Sequence, residues 1–176
     1  KTKDDSAAYK AASLVCRVRI KNIVLTRKSG QELYLSAILN LHSSYLVSYT
    51  ISECSVLRMI TVMLDKAFET ISNGTGLIFI PIKDGSIKRS IIARYLNKKR
   101  YPAEYDPKGQ LLDNTVMENF FGLFKSELLY LQKFQSIEYF KQELVEYLDY
   151  YNNHRIKAKL KGLPPVIYRQ QVLLSS

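Results

Sequence analysis

The spacing of hydrophobic residues changes along the chain, and these changes predict the order of its elements. Near the start, apolar and polar residues alternate roughly every second position, which is the period of a β-strand with one buried face. The strands are predicted at residues 14–26, 33–41 and 45–51. Turn signals at Ser29-Gly30 and Ser43-Ser44 separate them, so the three strands are predicted to form an antiparallel meander.

A helical period replaces the alternation after the third strand. Apolar residues recur every three or four positions over residues 56–71, which predicts an amphipathic helix that ends at Asn73-Gly74. The uninterrupted apolar run at 77–82 is typical of a strand buried on both faces, and a helix before it favours a parallel crossover. The remaining predicted elements are a basic helix at 87–99, a short strand at 101–105, and helices at 112–131 and 136–151.

The predicted order is β-β-β-α-β-α-β-α-α, a mixed sheet flanked by helices, and therefore an α/β fold. We divide the chain into a leader at residues 1–18, a core at 19–151 and a basic tail at 152–176. The length of 176 residues and the hydrophobic content of 47% suit one domain with a real core. Because the chain begins with Lys1 rather than Met, we expect a segment of a longer protein.

The composition also indicates the cellular environment of the protein. No apolar run approaches the ~18 residues that a membrane span needs, and no signal peptide heads the chain, so we expect no membrane partner. Cys16 and Cys54 form neither a CxxC pair nor a zinc pattern with the two histidines. This cysteine usage favours a reducing, intracellular setting.

Positive charge is concentrated in three blocks. The chain has 26 Lys and Arg against 16 Asp and Glu, a formal net charge of +10. Residues 1–28, 83–108 and 152–176 carry +6, +5 and +5, whereas the stretches between them are acidic, at −2 and −4. Basic blocks around an acidic centre favour a nucleic-acid-binding surface, although solvated loops and faces would give the same pattern.

The helix predicted at 112–131 has an apolar stripe and a polar face. The stripe is predicted to contain Leu112, Val116, Phe120, Leu123, Phe124 and Leu131. Asn114, Glu118, Gly122 and Lys125 lie together on the opposite side, with Glu118 and Lys125 two turns apart. Gly122 leaves a bare patch between them where a DNA strand could approach closely. An ordinary solvated face would have the same spacing.

Two long stretches resemble the integrase-type catalytic core of bacterial insertion-sequence transposases, the DDE recombinases related to retroviral integrases. These stretches are LLDNTVMENFFGLFKSELLYLQ at 111–132 and FKQELVEYLDYYNNHRIKAKLKGLPPVIYR at 140–169, supported by QELYLSAIL at 31–39. The resemblance implies a ribonuclease-H-like fold and DNA transposition and integration by metal-dependent phosphodiester transfer. It also implies DNA partners, namely transposon ends and target DNA, a homo-oligomer, and a cytoplasmic, nucleoid-associated bacterial protein.

In this family three carboxylates hold two divalent ions, Mg²⁺ or Mn²⁺. The resemblance places Glu118 at the family's glutamate, while the position of the first aspartate falls on Asn22. The second falls on Ile82 by an ungapped count, and a two-residue loop adjustment would bring Asp84, which precedes Gly85, into its place. An Asp-Gly pair is also the sequence of a common turn.

We therefore predict catalytic positions at Glu118, Asp84 and Asn22, with the metal held by Glu118 and Asp84. Asparagine offers an oxygen but no negative charge, so a bridging position between two metal ions is weakened severely. Metal-dependent strand transfer is accordingly predicted to be absent or very weak. The alternative is a non-catalytic DNA-binding or assembly remnant of a transposase, which would keep the basic surface but not the chemistry.

DNA contacts are predicted on the helix and in the tail. The resemblance places Lys125 at a basic residue that contacts the DNA end, and Asn119 is a further candidate. The tail contributes Arg155, Lys157, Lys159 and Lys161, a run without nearby acids. Such a run favours phosphate contacts, although a solvated C-terminal loop would have the same composition. Leu160 and Tyr168 are expected to pack the tail against the core.

Overall fold

The protein forms a sheet with helices on both faces. A computed structural model describes residues 15–28, 31–53, 57–70, 76–80, 86–99, 110–131 and 133–174. The elements are β1 (Val15–Lys28), β2 (Gln31–Asn40), β3 (Leu46–Ser52), α1 (Leu57–Thr70), β4 (Gly76–Ile80), α2 (Ser86–Lys98), α3 (Gln110–Phe124), α4 (Ile137–Asn153) and α5 (Pro165–Leu174). A π-helical turn, Lys125–Leu129, continues α3, and a 3-10 turn, Ala158–Leu160, follows α4. The strand predicted at 101–105 lies outside the described residues.

The four strands form one mixed sheet in the order β3-β2-β1-β4. β1 pairs antiparallel with β2, and β2 pairs antiparallel with β3, which confirms the predicted meander. β4 pairs parallel with β1, as predicted for a strand reached across a helix. β1 begins at Val15, so residues 15–18 of the predicted leader are paired in the sheet.

Side chains of β2 enter two cores because successive residues of a strand point to opposite faces. Leu33, Leu35, Ala37 and Leu39 join the cluster formed with α3 and α4. Ile38 joins the second cluster, which α1 and α2 cover. This double burial agrees with the run of hydrophobic residues in the strand. Within the described ranges, no helix is long and apolar enough to cross a membrane.

The buried stripe of α3 differs in part from the prediction. The buried residues are Met117, Phe120, Phe121, Phe124 and Leu128. Phe120 and Phe124 confirm the predicted stripe, but the prediction was wrong for Leu131, which is 74% exposed. The physical reason is the π-helical turn, in which the amide of Tyr130 donates to the carbonyl of Lys125 five residues earlier, at 2.9 Å. The turn shifts the phase of the residues after it.

α4 and the tail pack against the same core. Ser136 caps α4 by accepting a hydrogen bond from the amide of Tyr139 at 3.0 Å. The predicted stripe is confirmed by burial of Phe140, Leu144, Tyr147, Leu148 and Tyr151. In the tail, Leu160 is buried as expected, and Tyr168 contacts His42. The sequence reading missed α5, although Pro165 occupies its first turn, where proline is favoured.

Candidate functional site

α3 contacts β1, and this contact brings together the two elements that carry predicted catalytic positions. Asn22 lies in the interior strand β1 and pairs with Ser36 of β2. Glu118 lies on α3 with its side chain exposed. Ile82 and Asp84 lie outside the described residues, so the second acidic position stays a prediction. In the described part of the chain, no three His, Cys, Asp or Glu side chains are grouped closely enough to hold a metal ion.

The polar face predicted on α3 is open to solvent. Glu118, Gly122 and Lys125 are all exposed, whereas the side chain of Asn114 lies outside the described residues. Asn119, the further candidate for a DNA contact, is also exposed. A Cβ added to Gly122 would meet nothing within 4 Å, so the fold itself does not require glycine here. The surface between Glu118 and Lys125 therefore has no side chain at Gly122 and is accessible, as the close approach of a DNA strand requires.

The basic tail runs beside a different flank of α3. Thr115, Asn119 and Leu123 line a groove of about 450 Å³ whose other wall is the tail segment 155–159. At about 100° per residue, Leu123 lies roughly 140° around the helix from Glu118. Thr115 lies about 60° and Asn119 about 100° from Glu118 in the same direction, so the groove adjoins the Glu118 surface on one side of the helix.

An ion pair ties the tail to the π-helical turn. The Arg155 guanidinium donates from Nη2 to Glu127 Oε1 at 2.6 Å and from Nε to Glu127 Oε2 at 3.0 Å. The Tyr147 hydroxyl donates to the same carboxylate at 2.9 Å. The hydrogen bonds from Arg155 are the largest cause that lowers the pKa of Glu127. Arg155, predicted as a DNA contact, therefore has a partner within the chain, which sequence reasoning missed because 28 residues separate the pair.

Lys157 is half-buried against an aromatic side chain. Its ammonium donates to the Tyr151 hydroxyl and lies 4.2 Å from the centroid of that ring. Burial, followed by repulsion from Arg155, lowers the pKa of Lys157 to about 8. Lys159 and Lys161, by contrast, are exposed.

Tyr151 and Asn152, which precede the basic run of the tail, bind that run to β3 and to the turn before it. The buried Tyr151 hydroxyl donates to the carbonyl of Ser44 at 3.0 Å. The side chain of Asn152 bonds both backbone groups of Leu46, accepting from its amide and donating to its carbonyl, each at 2.9 Å. These three hydrogen bonds fix where the tail leaves the core, a role that sequence reasoning did not assign to Asn152.

The Glu127–Arg155 pair predicts a pH dependence of stability. Because the pKa of Glu127 is lowered in the folded state, its contribution is present above the unfolded pKa and is lost as the pH falls through the folded one. At pH 7 we expect Glu127→Gln to lower the free energy of unfolding by about 1–2 kcal/mol, a value discounted for partial exposure. The difference from the unsubstituted chain should narrow at pH 3.

Urea unfolding of both proteins at pH 7 and pH 3 checks this prediction. Glu69→Gln is the matched control, because Glu69 is exposed on α1 and the substitution removes the same charge. A Glu69→Gln effect equal to that of Glu127→Gln, or a pH-independent difference for Glu127→Gln, would show that the ion pair does not cause the effect.

The sequence of the chain is similar to those of known proteins. The Integrase core domain family matches residues 118–173, which include Glu118, the π-helical turn, α4 and the tail. Over 146 residues the chain is 36% identical to a protein of Escherichia coli K12 named as transposase InsK for insertion sequence element IS150. This match covers 83% of the chain and 52% of the relative, so the chain spans about half of that protein's length.

Solved structures show the same fold. The catalytic core domain of BIV integrase matches with a TM-score of 0.64 and 11% identity, over 90% of this chain and 96% of that one. The HTLV-2 integrase catalytic core domain, solved in complex with magnesium in a dimeric form, matches with a TM-score of 0.55 and 8% identity. That match covers 88% of this chain and 95% of the other. The ribonuclease-H-like α/β fold is thus confirmed, and the chain belongs to the integrase-core family of insertion-sequence transposases.

Proposed function

We propose that the chain is the DNA-processing core of an insertion-sequence transposase and acts on transposon ends and target DNA. The observation that carries this proposal is the contact between α3, with Glu118 exposed, and the interior strand β1, with Asn22. In a ribonuclease-H-like fold, a helix beside this strand supplies the acidic surface at which a phosphodiester reacts. The basic tail beside the same helix supplies positive charge for the phosphates.

The proposed metal site uses Glu118 and Asp84. Carboxylate oxygens suit Mg²⁺ or Mn²⁺, and the magnesium complex of the HTLV-2 core supports this choice of ion. A bound pair of such ions would activate a water or a DNA 3′-hydroxyl and stabilise the leaving oxygen. The donor set fits only in part, because Asn22 offers a neutral oxygen where two ions need a shared negative charge. We therefore propose that strand transfer is absent or very weak.

Lys125 has a separate role in the proposal. It lies two turns from Glu118 and is the first residue of the π-helical turn. Its exposed ammonium would bind a phosphate of the DNA end, and Asn119, on the adjoining flank of the helix, would be a second donor to DNA. These contacts hold DNA without depending on a metal ion, so DNA binding should survive even where strand transfer does not.

DNA binding tests the proposal directly. We expect the chain to bind a labelled duplex of 30 base pairs at 50 mM salt and to lose on the order of 100-fold in affinity by 200 mM. Lys125→Gln should weaken binding and lower the slope against log salt by about one. Lys133→Gln, which removes the same charge from an exposed residue, is the control and should change binding less.

Undetectable binding at 50 mM salt would contradict the proposal and favour a basic structural domain.

The dimeric form of the HTLV-2 core also supports the proposal that copies of this chain associate. Sedimentation velocity over a range of protein concentrations measures that association. In a bacterial cell, DNA binding would place the protein on the nucleoid.

A further inference from the structure

The groove between α3 and the tail is lined by cationic, polar and apolar side chains. Its volume of about 450 Å³ lies in the range of ligand pockets, about 300–1,000 Å³. Thr115 and Asn119 give it polar groups on one wall, and Arg155, Lys157 and Lys159 give it cations on the other. Apolar surface is supplied by Val116, Leu123, Ile156 and Ala158.

The charges of the groove are not balanced within the chain. Glu127, the acid whose charge acts on Lys157, already accepts hydrogen bonds from Arg155 and Tyr147. Within the described residues Lys157 forms no ion pair, and its contacts are the hydroxyl and the ring of Tyr151. A half-buried ammonium without a carboxylate is costly, because its charge is only partly solvated and not neutralised. An anion in the groove would supply the missing counter-charge.

We propose that this groove binds the phosphodiester backbone of DNA, with Lys157 and Lys159 as the phosphate ligands. Asn119 can donate to a phosphate oxygen, and the apolar wall formed by Leu123 and Ile156 can pack against a deoxyribose. The inference rests on the proposed function and adds a second DNA-contacting surface to it. The backbone would follow the flank of α3 next to the surface that carries Glu118.

Binding at this site should be coupled to proton uptake. The groups that face Lys157 are Tyr151 on α4, Glu127 on the π-helical turn, and Arg155 and Lys159 in the tail. Without a ligand the pKa of Lys157 is about 8, and a bound phosphate raises it towards the ordinary value of about 10.4. Affinity should therefore fall about tenfold between pH 7 and pH 9, since the free amine must gain a proton to bind.

The test measures binding of a 30-base-pair duplex by fluorescence anisotropy at pH 7 and pH 9. Calorimetric titrations at pH 8 in two buffers of different ionisation enthalpy give the proton uptake. Lys157→Met should lose about tenfold in affinity at pH 7 and become insensitive to pH. Lys157→Arg should keep the affinity at pH 7, because its charge remains, but should lose both proton uptake and pH dependence.

Lys161→Gln is the matched control, because Lys161 is exposed beyond the groove and the substitution removes one charge from the same tail. It should keep the pH dependence and the proton uptake. If Lys157→Met does not fold, Lys159→Gln should still weaken binding more than Lys161→Gln. If Lys157→Met binds DNA with the affinity and the pH dependence of the unsubstituted chain, DNA does not bind in the groove. That result would leave the proposed function intact. Failure of the unsubstituted chain to bind DNA at 50 mM salt would overturn both.

Discussion

Asn22→Asp is expected to raise Mg²⁺-dependent strand transfer by on the order of 100-fold over the unsubstituted chain. Asn22 lies in β1, a strand that α3 contacts, and we propose that a carboxylate at this position would share a metal ion with Glu118. A charged oxygen can bridge two divalent ions, whereas the amide of asparagine contributes only a dipole. The measurement is joining of a labelled duplex that carries the terminal repeat of the encoding element to a target plasmid.

Two further variants control for this gain. Asn97→Asp makes the same chemical change at an exposed residue of α2 and should leave strand transfer unchanged. The double variant Asn22→Asp/Glu118→Gln should lose the gain, because it removes the other carboxylate. A gain that survives in the double variant, or no gain in Asn22→Asp, would show that Asn22 is not the position that limits the chemistry.

Phe120→Ala is expected to lower the free energy of unfolding by about 4 kcal/mol. The Phe120 side chain is 0% exposed and makes edge-to-face contacts with Phe121 and Tyr151, at centroid distances of 4.9 and 4.8 Å. Its removal leaves a cavity where α3, α4 and the sheet meet. Urea unfolding followed by circular dichroism measures the difference.

Leu131→Ala is the matched control for the core substitution. Leu131 is 74% exposed beyond the π-helical turn, so its truncation should cost less than about 0.5 kcal/mol. A continuous α-helix over residues 112–131 would place both side chains in the core. Equal losses for the two variants would therefore contradict the π-helical turn.

Local periodicity accounts for the parts of the fold that could be predicted. The meander and the amphipathic helices carry a period of two or about 3.6 within one stretch of sequence, and β4 is an uninterrupted apolar run. These elements were all found. The π-helical turn has no signal in the local hydrophobic spacing, and the ion pair of Glu127 with Arg155 joins residues that are far apart in the sequence. α5 is short and amphipathic only weakly, and its proline start was its main local signal.

The candidate site was predictable to the extent that it lies on one helix. The exposure of Glu118 and Lys125 followed from their spacing, and the structure confirms it. The basic run of the tail was read from charge alone, which cannot show three-dimensional neighbours. Arg155 turned out to pair with Glu127, and Lys157 to be half-buried against Tyr151. The four cations of the tail therefore differ in environment: Arg155 is ion-paired, Lys157 is half-buried, and Lys159 and Lys161 are exposed.

Our central proposal is that the chain is an integrase core that binds DNA but lacks a negative charge that metal-dependent joining needs. Strand transfer by the purified chain, compared with Glu118→Gln in Mg²⁺ and in Mn²⁺, tests it most directly. We predict that both proteins bind the labelled end duplex and that neither joins it to the target above background. Joining by the unsubstituted chain that depends on the metal and disappears in Glu118→Gln would contradict the proposal.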